Sequence, residues 1–205
     1  MSPVAYYFFM LVWCYLLGSI PMGYVLMKAV KDIDIRQHGS GNIGMTNVWR
    51  VAGAGWGITT LGLDIAKGAL AIYISCLYFD GDIDIVVGTV GVLLGNLYPI
   101  YLKFKGGKGV GTSIGVFYSI APFQCFIATV AFGMMAFLTR MVSASSMVAV
   151  TVFAVATGYY KGLGWNGSRL AILACLLVCW SHRSNFLRIL NGTENRIGRK
   201  SGGPS

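Results

Sequence analysis

The stretch Val4–Met27 reads VAYYFFMLVWCYLLGSIPMGYVLM and contains no charged residue. A helix needs about 20 apolar residues to cross the hydrocarbon core of a bilayer, and this stretch supplies them. No basic segment precedes it, so it lacks the form of a cleavable signal peptide. The rest of the chain follows the same pattern. Of its 205 residues, 56% are hydrophobic and 11% charged, and the mean hydropathy is +0.67. Soluble domains carry about 25% charged residues, so the main solvent of this chain is lipid. The expected fold is an all-α integral membrane protein. Residues 1–198 form a single transmembrane domain in this reading, and 199–205 a polar, disordered tail.

Further spans are expected at about Gly53–Phe79, Ile85–Leu102, Met141–Tyr160 and Leu163–Trp180. The segment Val110–Leu138 reads either as one long helix or as two short, tilted helices meeting near Ala121–Pro122. Charge decides between them. The chain carries 16 basic and 7 acidic residues, a formal charge of +9. In a soluble protein that excess would suggest nucleic acid; here it points to positive-inside topology and an anionic substrate, and no nucleic-acid partner is expected. If Val110–Leu138 crosses twice, the Lys28–Arg50 and Lys103–Lys108 loops, Arg140 and the basic C-terminal tail share one side, leaving Lys161 and Arg169 on the other. That arrangement has seven transmembrane helices, the N-terminus outside and the C-terminus cytoplasmic.

Five cysteines (Cys14, Cys76, Cys125, Cys175 and Cys179) lie inside apolar runs without a CxxC pair, and read as small apolar residues. Asp80, Asp82 and Asp84 form a short acidic turn. With acidic residues so scarce elsewhere, no metal site is expected. Asp64 and Lys67 stand one helical turn apart within a span and read as an internal ion pair, with a structural or a site-supporting role.

Three polar clusters fall on the basic side. The first, Arg36–Arg50, reads RQHGSGNIGMTNVWR. Gly39–Gly44 fits GxGxxG formally, but a membrane helix precedes it where a dinucleotide site needs a strand. Glycine-borne N–H groups ahead of a helix start suit an anion, and Ser40, Thr46, Asn47 and Arg50 add donors. The second cluster, Gly95–Val110, reads GNLYPIYLKFKGGKGV. It departs from Walker A at Leu102 and Gly109, yet Gly106-Gly107-Lys108-Gly109 before a helix is a plausible phosphate cradle. Lys103 reads as a snorkelling anchor. The third cluster is Ser181-His182-Arg183-Ser184-Asn185-Phe186-Leu187-Arg188, followed by Asn191–Arg196. His182 and Asn185 stand at i and i+3, on one face of a continuing helix.

Together these clusters resemble the PlsY family, the bacterial acyl-phosphate:glycerol-3-phosphate acyltransferases. The resemblance rests on Gly39-Ser40-Gly41-Asn42 with Thr46, Asn47 and Arg50; on Phe104–Val110; and on His182-Arg183-Ser184-Asn185 with Arg188, Gly192 and Glu194. Gly18-Ser19-Ile20-Pro21 and Asp64 to Lys67-Gly68 also resemble the family. One position departs: the family usually has Gly-His where this chain has Gly95-Asn96. Asparagine hydrogen-bonds but cannot act as a base, and a positioning role fits it.

The resemblance implies seven transmembrane helices and a site at the cytoplasmic surface of the bacterial inner membrane. It implies acyl phosphate and sn-glycerol 3-phosphate as substrates, with lysophosphatidic acid and inorganic phosphate as products. No cofactor, metal, coenzyme A or acyl carrier protein is implied as a direct participant; the other partner is membrane lipid. The expected catalytic set is His182, Asn185 and Ser40. The expected phosphate-binding set is Gly39, Gly41, Asn42, Thr46, Asn47, Arg50, Gly106, Gly107, Lys108 and Gly109.

The chemistry suits these residue types. Acyl phosphate is an activated mixed anhydride, so the enzyme needs chiefly proximity, worth roughly 7–11 kcal/mol for well-oriented reactants, and charge stabilisation by N–H groups. Neither His38 nor His182 has the aspartate five positions later that soluble-type enzymes use. Direct attack by the 1-hydroxyl, positioned or partly deprotonated by His182, is expected, without a covalent acyl-enzyme. The alternative from another class is a transporter of a phosphorylated solute, which would favour inverted repeats and a midplane site. A non-catalytic scaffold that binds anionic lipid is a second.

Overall fold

The structure is a computed structural model and describes residues 2–78, 82–160 and 164–198. Asp80, Lys161 and the 199–205 tail lie outside the described residues. Among the described residues the elements are all helical: α1 Pro3–Ser19, α2 Met22–Lys31, α3 Met45–Ala52, α4 Ala54–Tyr78, α5 Asp82–Leu97, α6 Val110–Ile120, α7 Pro122–Thr139, α8 Val142–Tyr159, α9 Gly164–Ser181 and α10 Arg183–Leu190. Short 3-10 turns occupy Ile35–Gln37 and Ile100–Leu102.

Among the described residues, five helical stretches are long and apolar enough to cross a membrane, or six if Gly167–Ser181 and Arg183–Leu190, bent by 59°, form one span. Val110–Ile120 is apolar but shorter.

Proline sets three of the breaks, because it lacks an N–H and disfavours helix in the residue before it. Pro21 separates α1 from α2, a helix break inside the single apolar stretch Pro3–Lys31 that is long enough to span, as the sequence suggested. Pro99 follows the end of α5 at Leu97, and the 3-10 turn carries the apolar stretch on to Leu102, the expected end of that span. Pro122 opens α7 immediately after Ala121, whose φ of −146° and ψ of 62° lie outside the helical region. Val110–Leu138 is therefore two helices, α6 and α7, parted at the expected residues. Lys28 and Lys31, by contrast, still belong to α2 and not to a loop. Asp82 opens α5, and Asp84 is buried in its first turn.

The helices group into two compact units, Met1–Ile120 and Ala121–Ser205. In the first, α1 packs on α5, and α4 on α6. Lipid offers no hydrophobic drive for this packing, so small residues that let backbones approach must supply it. Gly91 lies against Leu11 and Cys14, and Gly95 against Tyr15 and Ser19. The residue numbers rise together, so α1 and α5 run parallel. Likewise Gly111 lies against Leu61 and Asp64, and Gly115 against Ile65 and Ala69, so α4 and α6 run parallel. The start of α4, the end of α5 and the start of α6 thus share one end of this unit. That end carries Arg50, Lys103, Lys105 and Lys108.

In the second unit α8 packs against both α7 and α9. The Ser168 hydroxyl lies 3.4 Å from the Thr157 carbonyl it donates to, and Thr151 Oγ1 lies 3.9 Å from Cys175 Sγ. The numbers run in opposite directions, so α8 and α9 are antiparallel. The end of α9 therefore meets the α7–α8 turn at Arg140. Ile197 N donates to the Arg140 carbonyl at 2.7 Å and brings the C-terminal segment to the same end. Large apolar side chains remain outward in both units: Phe8 and Phe9 in the first, and Phe137, 85% exposed, in the second. Such surfaces suit lipid. Cys14 and Cys125 are buried thiols, while Cys76 is exposed in an apolar run.

A methyl group at Gly95 would come within 2.8 Å of Ser19 N and closer still to the Tyr15 carbonyl, whereas one at Gly133 would meet nothing. Gly95→Ala should therefore destabilise the detergent-solubilised protein by about 1–3 kcal/mol. Gly133→Ala should be neutral or stabilising by up to about 1 kcal/mol. Thermal unfolding of the two variants beside the parent checks the contrast.

Candidate active site

The first loop begins at the Ile35–Gln37 turn and ends at Gly44, which precedes α3. Gly39 and Gly41 adopt φ values of +61° and +72°, which side-chain-bearing residues rarely adopt. The loop is organised around Asn47, which is 1% exposed. Its Nδ2 donates to the carbonyls of Asn42 (2.8 Å), His38 (3.0 Å) and Ile35 (3.2 Å), and its Oδ1 accepts from Ser40 N at 2.8 Å. Asn42 Oδ1 accepts from Gly44 N at 2.8 Å. Asn47 and Asn42, expected from sequence as phosphate ligands, therefore spend these side-chain hydrogen bonds on shaping the loop. Thr46 is half-buried beside Met45 Sδ, and Ser40 and Arg50 are exposed.

The second loop leaves α5 at Leu97. Lys103 and Phe104 both adopt the left-handed conformation, at φ 54° and 62°, an unfavourable pair for residues with side chains. Gly107 N then donates to the Asn96 carbonyl at 3.0 Å. Gly106 sits where the Asn96 and Leu97 carbonyls and the Pro99 ring leave no room for a side chain. Gly109, at φ 78°, precedes α6, and its carbonyl accepts from Ser113 N at 2.8 Å. Lys108 is half-buried.

The two loops meet. Asp34, Arg36, Gln37 and Gly41 from the first, with Lys105 and Gly106 from the second, line a cleft of about 440 Å³. Arg36 donates from Nε and Nη2 to the two oxygens of Asp34, at 2.9 and 2.6 Å, and lies over the Tyr24 ring. This fork holds the Asp34 carboxyl down at about 2. Sequence reading passed over Asp34, for which the Asp34-x-Arg36 spacing was the available sign, and named Lys105 in the second loop without placing it in the binding set.

Behind the second loop, Lys67 is buried. Its ammonium forms an ion pair with Asp64 Oδ1 at 3.0 Å, as the sequence suggested, and donates to Asn96 Oδ1 at 2.9 Å and to the Ile20 carbonyl at 3.0 Å.

The third cluster belongs to the second unit. His182 stands at the break between α9 and α10 and is 2% exposed. Its Nδ1 lies 2.8 Å from the Val178 carbonyl. A carbonyl only accepts, so in the neutral ring Nδ1 carries the proton and Nε2 the lone pair. Glu194 is the hub of the cluster. Its Oε1 accepts from Asn185 Nδ2 at 2.7 Å and from Ser143 Oγ at 2.8 Å, and its Oε2 accepts from Arg188 Nε at 2.9 Å. Ser143 was missed from sequence: it opens a serine-rich helical turn in which Ser145 and Ser146 bond only back to their own helix.

Among the described residues no group of three His, Cys, Asp or Glu side chains could hold a metal ion.

Residues 8–192 match the family described as glycerol-3-phosphate acyltransferase. A glycerol-3-phosphate acyltransferase of Halalkalibacterium halodurans is 42% identical over 194 residues, covering 91% of this chain and 93% of the relative. The chain belongs to the glycerol-3-phosphate acyltransferase family. Another such acyltransferase, of Syntrophotalea carbinolica, is 38% identical over 192 residues, covering 93% and 97%. Among solved structures, PlsY, an integral membrane glycerol 3-phosphate acyltransferase, matches in its glycerol 3-phosphate form with a TM-score of 0.86 at 33% identity. Its lysophosphatidic acid form matches at 0.85 and 32%. Each match covers 94% of this chain and 96% of that one. Membership in the acyltransferase family sets the transporter alternative aside.

Electrostatics in the third cluster of this acyltransferase follow from Glu194. Burial alone would push its carboxyl up. Hydrogen bonds from Asn185, Ser143 and Arg188, with the Arg188 charge, outweigh burial and hold it below the usual glutamate value. A carboxyl lowered in the fold stabilises the protein above its unfolded value of about 4.3, and the contribution fades as pH falls through the folded value. Glu194→Gln should therefore lower the thermal midpoint near pH 7, and the gap to the parent should close as pH drops below about 4. Thermal scans of both proteins from pH 7 to pH 3 test this; a gap independent of pH would rule the linkage out.

Proposed function

We infer that this acyltransferase moves an acyl group from acyl phosphate to the 1-hydroxyl of sn-glycerol 3-phosphate. Lysophosphatidic acid and inorganic phosphate are the products. The observation that carries the reading is the cleft where two glycine loops meet, with Lys105 and the Asp34-paired Arg36 on its walls. The forms in which PlsY has been solved, with glycerol 3-phosphate and with lysophosphatidic acid, are the acceptor and product of this reaction.

The phosphates are held by Arg50, Lys108 and the loops at Gly39–Gly41 and Gly106–Gly109, with Ser40 and Thr46 adding hydroxyl donors. Asn42 and Asn47 act by holding the first loop in shape. The hydroxyl oxygen forms its bond to the acyl carbon, the bond from that carbon to the phosphate oxygen breaks, and the hydroxyl proton leaves with the phosphate. His182 orients the hydroxyl through Nε2, and Asn185, clamped by Glu194, hydrogen-bonds beside it.

In the membrane the chain makes seven crossings, with the N-terminus outside and both loops and the C-terminus on the cytoplasmic side of the inner membrane. The parallel pairs α1–α5 and α4–α6 support alternating crossings, and the basic residues collected at one end of each unit support the orientation. At about 1.5 Å per residue α6 is roughly 17 Å long, shorter than the hydrocarbon core, a mismatch of the kind met by thinning or by snorkelling flanking residues.

Purified protein given a long-chain acyl phosphate and glycerol 3-phosphate should release phosphate and lysophosphatidic acid in equal amounts, and acyl thioesters of coenzyme A or acyl carrier protein should not substitute. His182→Ala should reduce turnover about 100-fold or more without loss of folding. Equal activity with thioesters would refute the donor, and unchanged turnover would refute the role of His182.

A further inference from the structure

Lys67 lies within a membrane-spanning helix, yet it is only 2% exposed. An ammonium in such a place is costly unless every N–H finds an acceptor. Here it is paired with Asp64 one turn away on α4, and it donates to the Ile20 carbonyl at the α1–α2 break and to Asn96 Oδ1 in the last turn of α5. A pair that only neutralised charge within α4 would need Asp64 alone.

The other two partners lead to the substrate loops. Asn96, held by Lys67 through its side chain, uses its own carbonyl to accept from Gly107 N at 3.0 Å. That carbonyl also forms part of the wall that Gly106 fits against. Ile20 precedes Pro21 and α2, in which Gly23 lies directly against the Ile43 carbonyl of the first loop. Lys67 is thus joined to the backs of both loops that border the cleft, one hydrogen bond or one close backbone contact removed from each.

We propose that Lys67 is a positioning residue for glycerol 3-phosphate binding, acting through Asn96 on the Gly106–Gly107 turn. Asn96 is its relay: Oδ1 takes the ammonium N–H, and the fixed residue presents its carbonyl to the loop. The proposal rests on the acyltransferase reading above and adds to it a residue that touches neither substrate. Loss of the ammonium frees Asn96 to rotate and lets the glycine turn drift, which weakens capture of the phosphate more than it slows the transfer itself.

The test compares Lys67→Met, Asn96→Leu, the double variant and Asn96→His, all in the full detergent-solubilised chain. Histidine keeps a ring nitrogen able to accept from Lys67 near the position of Oδ1. Thermal midpoints establish which variants fold. The expected result is a rise of about tenfold or more in KM for glycerol 3-phosphate in each of the first two variants, with a smaller change in kcat. The double variant should be no worse than the poorer single variant, because the two residues act in series. Asn96→His should retain a KM near the parent value. Unchanged KM in folded Lys67→Met, or independent effects that multiply in the double variant, would overturn the proposal. If Lys67→Met does not fold, an unchanged KM in Asn96→Leu overturns it instead. Should the parent show no acyl transfer, the reaction assignment fails separately. Calorimetric binding of glycerol 3-phosphate to the same variants then decides, and affinity equal to the parent's in Asn96→Leu would overturn the positioning role.

Discussion

A glycine-rich loop keeps its shape only if its carbonyls find partners, and in this protein one side-chain amide does much of that task. Asn47 gathers the carbonyls of Ile35, His38 and Asn42 on its nitrogen and holds Ser40 N on its oxygen. Asn47 is buried, so each of its polar atoms needs a partner, and the carbonyls it takes fix the course of a stretch whose glycines would otherwise leave it pliable. With the amide in place, Gly39 and Gly41 become fixed corners instead of hinges, and the loop keeps one shape.

The same economy of backbone contact recurs in the helices. Gly95 against Tyr15 and Gly115 against Ile65 bring main chains together where lipid offers no reason for side chains to cluster. These contacts fix the parallel pairs α1–α5 and α4–α6, and the pairs in turn bring the start of α4, the end of α5 and the start of α6 to one level. The loops that need to meet are the ones attached there. Packing with almost no side chain between helices thus determines which polar segments can share a cleft.

Much of this was legible in the sequence because its causes are local. Uncharged stretches gave the helices, Pro122 marked the division of Val110–Leu138, and the glycine clusters marked both loops. The Asp64–Lys67 pair was visible from its spacing. What escaped were partners chosen by tertiary contact. Nothing near Asn47 in the chain says that its donors turn back on the loop. Asn96 meets Lys67 only because α4 and α5 lie side by side. Glu194 stood out as an acid among bases, but Ser143 looks like any helix-opening serine until the C-terminal segment returns to the Arg140 turn. Pro21 parts α1 from α2 inside the first span, a helix break that the uncharged run does not mark.

Lys103 and Phe104 lie next to each other in a backbone region that costs an L residue about 1–2 kcal/mol. Their surroundings hold them there, so the turn is a reserve of strain beside the cleft. In a library selected for heat tolerance, glycine at either position is the kind of change that would be enriched, since it relaxes that strain. The same relaxation widens the range of shapes open to the segment that carries Lys105 and Gly106. Hardier variants recovered this way should be poorer catalysts, which makes this corner a bad place to engineer the enzyme for industry and an instructive one for learning how much rigidity acyl transfer needs.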